Sequence, residues 1–228
     1  MKKYAALLLS VILVFGCSMG FRLTATAGVN AEGFHFPFDS ADEISDTNLA
    51  LSGTFNEEGA NGGTGSLAAS LSGVPSSGVK NVVLNKGTTY EASFYIKFTN
   101  AETLYAPDIH LFVYYSGSIS NVYSDPQRTT PTTTIRYPFN LYTVKAENVG
   151  LKKSDGTCSD QWAKVTYTFR YDGVVSSTGY LPLGENKFNV FLRFGKNPHD
   201  MRNAGNFING DVNSSYDFLL DEFQLVPV

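Results

Sequence analysis

Three short stretches of the sequence set flat aromatic rings beside planar polar groups at every second residue. His110, Phe112 and Tyr114 form one; Asn189, Phe191 and Arg193 form another; Tyr95 stands between Glu91, Ser93 and Lys97 in a third. An aromatic ring with a polar tip suits a half-wet surface, and amide, imidazole and guanidinium groups donate or accept along fixed directions. That combination fits a ligand with an apolar face and a hydroxyl rim, such as a pyranose ring. The competing use of the same rings is to lie under a covering loop, because scattered surface aromatics are ordinary.

Covalent chemistry finds less to work with. Glycoside hydrolysis needs two carboxylates about 5 to 9.5 Å apart, and neither Glu57-Glu58, in a glycine-rich stretch, nor Glu222 is singled out by placement. A polysaccharide lyase would use a His/Tyr pair with an Arg, for which His110, Tyr114 and either Arg193 or Arg170 are the candidates. There is no Gly-x-Ser-x-Gly elbow and no Cys/His nucleophile arrangement. His35, His110 and His199 lack metal-ligand spacing, and with only Cys17 and Cys158 no thiolate zinc site can be built. The expectation is a chain that is not an enzyme.

The elements that must carry these residues read as strands. Tyr90 to Phe98 alternates strictly, with Tyr90, Ala92, Phe94, Ile96 and Phe98 on one face. Ile109, Leu111 and Val113 alternate with the first aromatic set, and Phe188, Val190, Leu192 and Phe194 with the second. Val165, Tyr167, Phe169 and Tyr171 repeat the pattern. At the C-terminal end Leu219, Asp221, Phe223 and Leu225 fall on one side, predicted to face the core, and Phe218, Leu220, Glu222 and Gln224 on the other. Glycine- and asparagine-rich turns separate these runs, and no αβ alternation exists. The expected fold is all-β, a two-sheet β-sandwich with jelly-roll topology. Residues 32–228 form one such domain, with a long insertion at about 116–161 that carries one or two strands near Ile135 to Val149.

Residues 1–31 are expected to be a secretory signal peptide. Lys2-Lys3 precedes an apolar run from Ala5 to Phe15, then small residues at Ala25-Thr26-Ala27 and Val29-Asn30-Ala31 offer two cleavage patterns. The run is shorter than the roughly 20 residues of a spanning helix, so no transmembrane segment is predicted. Val14-Phe15-Gly16-Cys17 loosely matches a lipobox, which makes lipid anchoring through Cys17 the alternative to a secreted, extracellular product. Without Lys2, Lys3 and Arg22, the 17 basic residues fall to 14 against 21 acidic ones, a formal charge of −7. That balance, without a basic stripe, excludes nucleic acid as a partner. An aromatic content of 14% excludes a disordered chain.

Taken in order, Gly65-Ser66-Leu67, Tyr90 to Lys97, Trp162 to Phe169 and Phe218 to Leu225 resemble the β-jelly-roll carbohydrate-binding modules. The group meant includes families four, nine and twenty-two, attached to bacterial xylanases and glucanases. The resemblance implies a secreted, non-catalytic module that binds plant-type or bacterial polysaccharide, or an oligosaccharide, by stacking and hydrogen bonds on one sheet face. Tyr95, His110, Phe112, Tyr114, Asn189, Phe191 and Arg193 are the residues expected there. Separate glycan-degrading enzymes would be its neighbours. The resemblance also implies a structural calcium ion (Ca2+) held by Asp39, Asp221 and carbonyls of the Gly65-Ser66-Leu67 region. Two features depart from the pattern: the insertion, and a single tryptophan, Trp162, that sits at the structural position and so cannot serve as sugar platform. A structural or adhesive cell-surface sandwich is the reading from a different class.

Overall fold

The computed structural model describes residues 27–30, 32–72, 77–102, 104–115, 130, 139–175, 179–180, 187–195 and 215–228. Cys17 and His199 lie outside them. The strands are β1 Gly28–Val29, β2 Phe34–Phe36, β3 Gly53–Asn56, β4 Ser66–Ser72, β5 Ser77–Val83, β6 Thr89–Phe98, β7 Asp108–Tyr115, β8 Phe139–Val144, β9 Ala163–Arg170, β10 Val174–Val175, β11 Gly179–Tyr180, β12 Lys187–Gly195 and β13 Ser215–Pro227. One helical turn, Ala41–Ile44, and two 3-10 turns, Ala60–Gly62 and Ala146–Val149, complete the described elements.

Pairing defines the topology. The first sheet places β4, β13, β6 and β9 side by side, with β3 beyond β4; the second runs β5-β12-β7-β8. All of these pairs are antiparallel. Antiparallel strands whose chain order is dealt between two sheets in this way make a jelly roll. Near its C-terminal end β13 exchanges β4 for β2, and β1 pairs with β2 at the edge. The stretch read as an insertion supplies β8, the edge strand of the second sheet.

Alternation in sequence becomes alternation in burial, with Ser93 the one outward residue of β6 that is also covered. β9 is buried at every second residue, and Tyr90, Ala92, Phe94, Ile96 and Phe98 of β6 are all fully buried. Rings knit the core within and between the sheets: Phe94 meets Phe223 of the neighbouring strand β13 edge-on at 5.6 Å, and Phe98 meets Phe194 of the opposite sheet at 5.5 Å. Each such ring contributes about 1.5–3 kcal/mol by leaving water.

β13 departs from the expected parity. Phe218 and Leu220 face the core, opposite Phe98 and Ile96, whereas Leu219 and Asp221 lie opposite Lys97 and Tyr95 on the outer face. A bulge between Asp221 and Gln224, with Glu222 at φ 50°, then returns Phe223 and Leu225 to the core side. One extra residue on one strand shifts every following side chain to the other face. The single-face reading of Leu219 to Leu225 is corrected on that ground.

Candidate functional site

Two paired strands bring six of the seven expected ligand residues together. Asn189 lies opposite Tyr114, Phe191 opposite Phe112, and Arg193 opposite His110, all on the face of the second sheet turned away from the core. Phe112 and Tyr114 stack with ring centroids 5.7 Å apart, and Tyr114 meets Phe191 at 5.5 Å. Tyr95 is not among them. It belongs to β6 in the other sheet, where its hydroxyl accepts a hydrogen bond of 2.6 Å from Asn61. Alternation assigns a side chain to a face but names no sheet, which is why the seven looked alike in sequence.

This face is also less open than a surface groove. His110 and Phe112 are fully buried, and Tyr114 and Arg193 are more than nine-tenths buried; only Asn189 and Phe191 are half-buried. Part of the cover is mutual, since Phe112 sits between Leu141 of β8 and Phe191 of β12 and stacks on Tyr114. Burial pushes the Tyr114 hydroxyl up to about 12, opposed by the positive charge of Arg193. Tyr114 is therefore a neutral donor or acceptor across the physiological range.

His110 is held from both ends. Nε2 lies 2.8 Å from the Gly195 carbonyl oxygen, and Nδ1 lies 2.8 Å from Thr143 Oγ1. A carbonyl oxygen only accepts, so Nε2 carries the proton, and in the neutral ring Nδ1 accepts from the Thr143 hydroxyl. The lone pair a general base needs is thus committed to the protein.

Two asparagines extend the polar edge of the face. The Asn81 backbone N–H donates to Asn189 Oδ1 at 3.3 Å, and Asn81 Nδ2 donates to Asn48 Oδ1 at 3.0 Å. Asn81 has φ 59° at a bulge between β5 and β12. The sequence signal was there in outline: the core residues Val79 and Val82 are spaced by three rather than two.

The expected cation residues lie on the first sheet. Asp221 is 2% exposed although it points outward, because the turn Ala60–Gly62 lies over it and the Ala60 N–H donates to Oδ2 at 2.7 Å. The Glu222 N–H donates to Oδ1 at 2.8 Å. Burial pushes its carboxyl up to about 6, the two amides pull it down, and the charges of Glu222 and Asp39 raise it further. No Lys or Arg among the described residues pairs with it. Beside it a Cβ on Gly63 would stand 3.0 Å from the Ala60 carbonyl oxygen and 3.2 Å from Asp221 Oδ2, which marks an oxygen-lined space that only glycine leaves open. Asp39 is close enough to act on Asp221 through its charge, and its Oδ1 accepts from Thr64. A buried carboxylate beside carbonyl oxygens fits a hard cation. No group of three or more Asp, Glu, His or Cys among the described residues could hold one alone, so carbonyls and water would complete the shell.

A clasp holds the turn in place. Glu58 Oε1 accepts from Lys97 Nζ at 2.6 Å and from Trp162 Nε1 at 3.1 Å, tying the glycine-rich segment to β6 and to the start of β9. Trp162 thereby has its indole N–H engaged within the fold.

Comparison with known proteins places this two-sheet arrangement beside carbohydrate-binding modules among solved structures. A CBM22 xylan-binding domain from Paenibacillus barcinonensis has 14% sequence identity and a TM-score of 0.42, over 90% of this chain and 98% of that one. A sugar-binding protein from Bacteroides thetaiotaomicron, described as such on provisional grounds, has 10% identity and a TM-score of 0.41, over 90% of each chain. The CBM22 and GH10 modules of a Clostridium thermocellum endo-1,4-β-D-xylanase, complexed with xylohexaose, have 11% identity and a TM-score of 0.42, over 87% of this chain and 29% of that one. No family model and no curated protein matches the chain. Among the described residues no helix is long and apolar enough to cross a membrane.

Proposed function

We propose that the chain is a secreted, non-catalytic polysaccharide-binding protein whose ligand face is the outer side of β7 and β12. The observation that carries this reading is the convergence of Phe112, Tyr114 and Phe191 in one ring cluster with Asn189 and Arg193 beside it. Phe191 covers the apolar face of a pyranose with Tyr114 packed behind it, and Asn189 bonds its hydroxyls beside the more deeply set Arg193. Binding involves no covalent step. The commitment of both His110 nitrogens supports a non-catalytic role over a lyase. Asp39, Asp221 and the Ala60 carbonyl hold a calcium ion that neutralises a buried carboxylate and pins the clasped turn; its role is structural.

The test is retention of the purified chain on a panel of soluble and insoluble polysaccharides, with calcium and with chelator, while new reducing or unsaturated ends are monitored. Retention without new ends supports the reading. Phe191→Ala and Tyr114→Ala then weaken it by about tenfold or more, or about 1.4 kcal/mol each, and Tyr114→Phe weakens it less. Burial of Phe112 and His110 favours, as second reading, an adhesive or structural sandwich; retention on no glycan would put that reading first. New chain ends would make the protein an enzyme.

A further inference from the structure

We infer that the export signal is removed between Ala27 and Gly28, and that the α-ammonium group so created pairs with Asp46. Two cleavage patterns, ending at Ala27 and at Ala31, are equivalent as local sequence. They are not equivalent as products. Gly28 and Val29 form β1, paired with His35 and Phe34 of β2, and Val29 packs against the core. The link between the two strands is closed by the Asn30 N–H donating to the Gly33 carbonyl at 3.2 Å, and the Gly33 N–H donates in turn to the Val83 carbonyl at 3.0 Å. Cleavage after Ala31 would remove β1 and leave β2, whose Phe34 and Phe36 are fully buried, as a bare sheet edge. Cleavage after Ala27 leaves the pairing whole.

The charge created by the cut has a partner waiting. Asp46 Oδ2 stands 3.1 Å from where a Cβ on Gly28 would sit. A residue's N and Cβ are about 2.5 Å apart, so the Gly28 nitrogen is within about 6 Å of that carboxylate oxygen, a range in which opposite charges stabilise each other. The other Asp46 oxygen accepts from the Asn48 N–H at 2.7 Å, which fixes the side chain. A Cβ on residue 28 would also crowd the Asp46 carboxylate. Glycine at the first position of the product lets the terminus and the carboxylate approach.

Export of the full chain from a host with a general secretory pathway, followed by intact mass measurement of the released protein, tests the cut. The expected mass begins at Gly28. Ala27→Leu should abolish processing at that bond, and Ala31→Leu should leave it unchanged. A mass beginning at Glu32, or an acylated product beginning at Cys17, would overturn the inference. For the pairing, the α-amino pKa of the released protein should lie above the usual 7.7–8.0 and fall in Asp46→Asn. An unshifted value in both would remove that half of the proposal.

Discussion

At the scale of single residues, placement rather than type decides what a group can do. His110 has the identity of a catalytic base, but its two nitrogens are spent on Thr143 and Gly195. His110→Ala would leave a buried carbonyl and a hydroxyl without their partner, and should cost about 1–3 kcal/mol in urea unfolding. Asp221 offers a second prediction, with a sign. Its folded carboxyl, at about 6, lies above the ordinary 3.8. Between those values the folded chain binds more protons than the unfolded one. Its contribution to stability is therefore full below about pH 4 and lost as pH rises through about 6. Melting temperature in chelator should show that loss. The calcium increment should grow over the same window, and Asp221→Asn should flatten both. Gly63→Ala should shrink the calcium increment, because the added methyl enters the oxygen-lined space.

Bulges do at the scale of elements what no alternation pattern reports. β13 carries core residues at 218, 220, 223 and 225, so the period skips one residue at Glu222. Glu222 pays for that skip with φ 50° and regains a 2.8 Å contact to His35. Glu222→Val should destabilise by about 1–2 kcal/mol, since a β-branched residue resists this conformation. Glu222→Gly should fall within about 1 kcal/mol of wild type, as relief of strain offsets the loss of one exposed hydrogen bond to His35. Equilibrium unfolding of the two variants separates these outcomes. Strands with an unbroken period, β6, β7, β9 and β12, were legible in sequence with their faces. Leu219 and Asp221 were not, because two apolar-compatible registers overlap there and only the backbone angle at Glu222 chooses between them.

For the molecule as a whole, the all-β class and the sandwich followed from many short alternating runs between turns, whereas the pairing partners did not. Tyr95 shows the cost of that gap: like Tyr114 it is a tyrosine on the outward side of an alternating run, yet the two occupy different sheets. Sheet membership depends on contacts between residues far apart in sequence, which local spacing cannot carry. Glu58 was passed over for a related reason, since its two partners, Lys97 and Trp162, come from two distant strands. Glu58→Ala should loosen the turn over Asp221, and hydrogen exchange at the Ala60 amide should rise at least tenfold while the β9 amides stay protected.

The position of β13 has a bearing on time as well as on shape. It lies between β4 and β2 on one side and β6 on the other, and it follows every strand it pairs with. A ribosome that has delivered residues 1–214 has made three strands that still lack their common neighbour. The first sheet can close only once β13 has been synthesised. Closure of that sheet is therefore the last pairing in chain order, after every strand of the second sheet has been made.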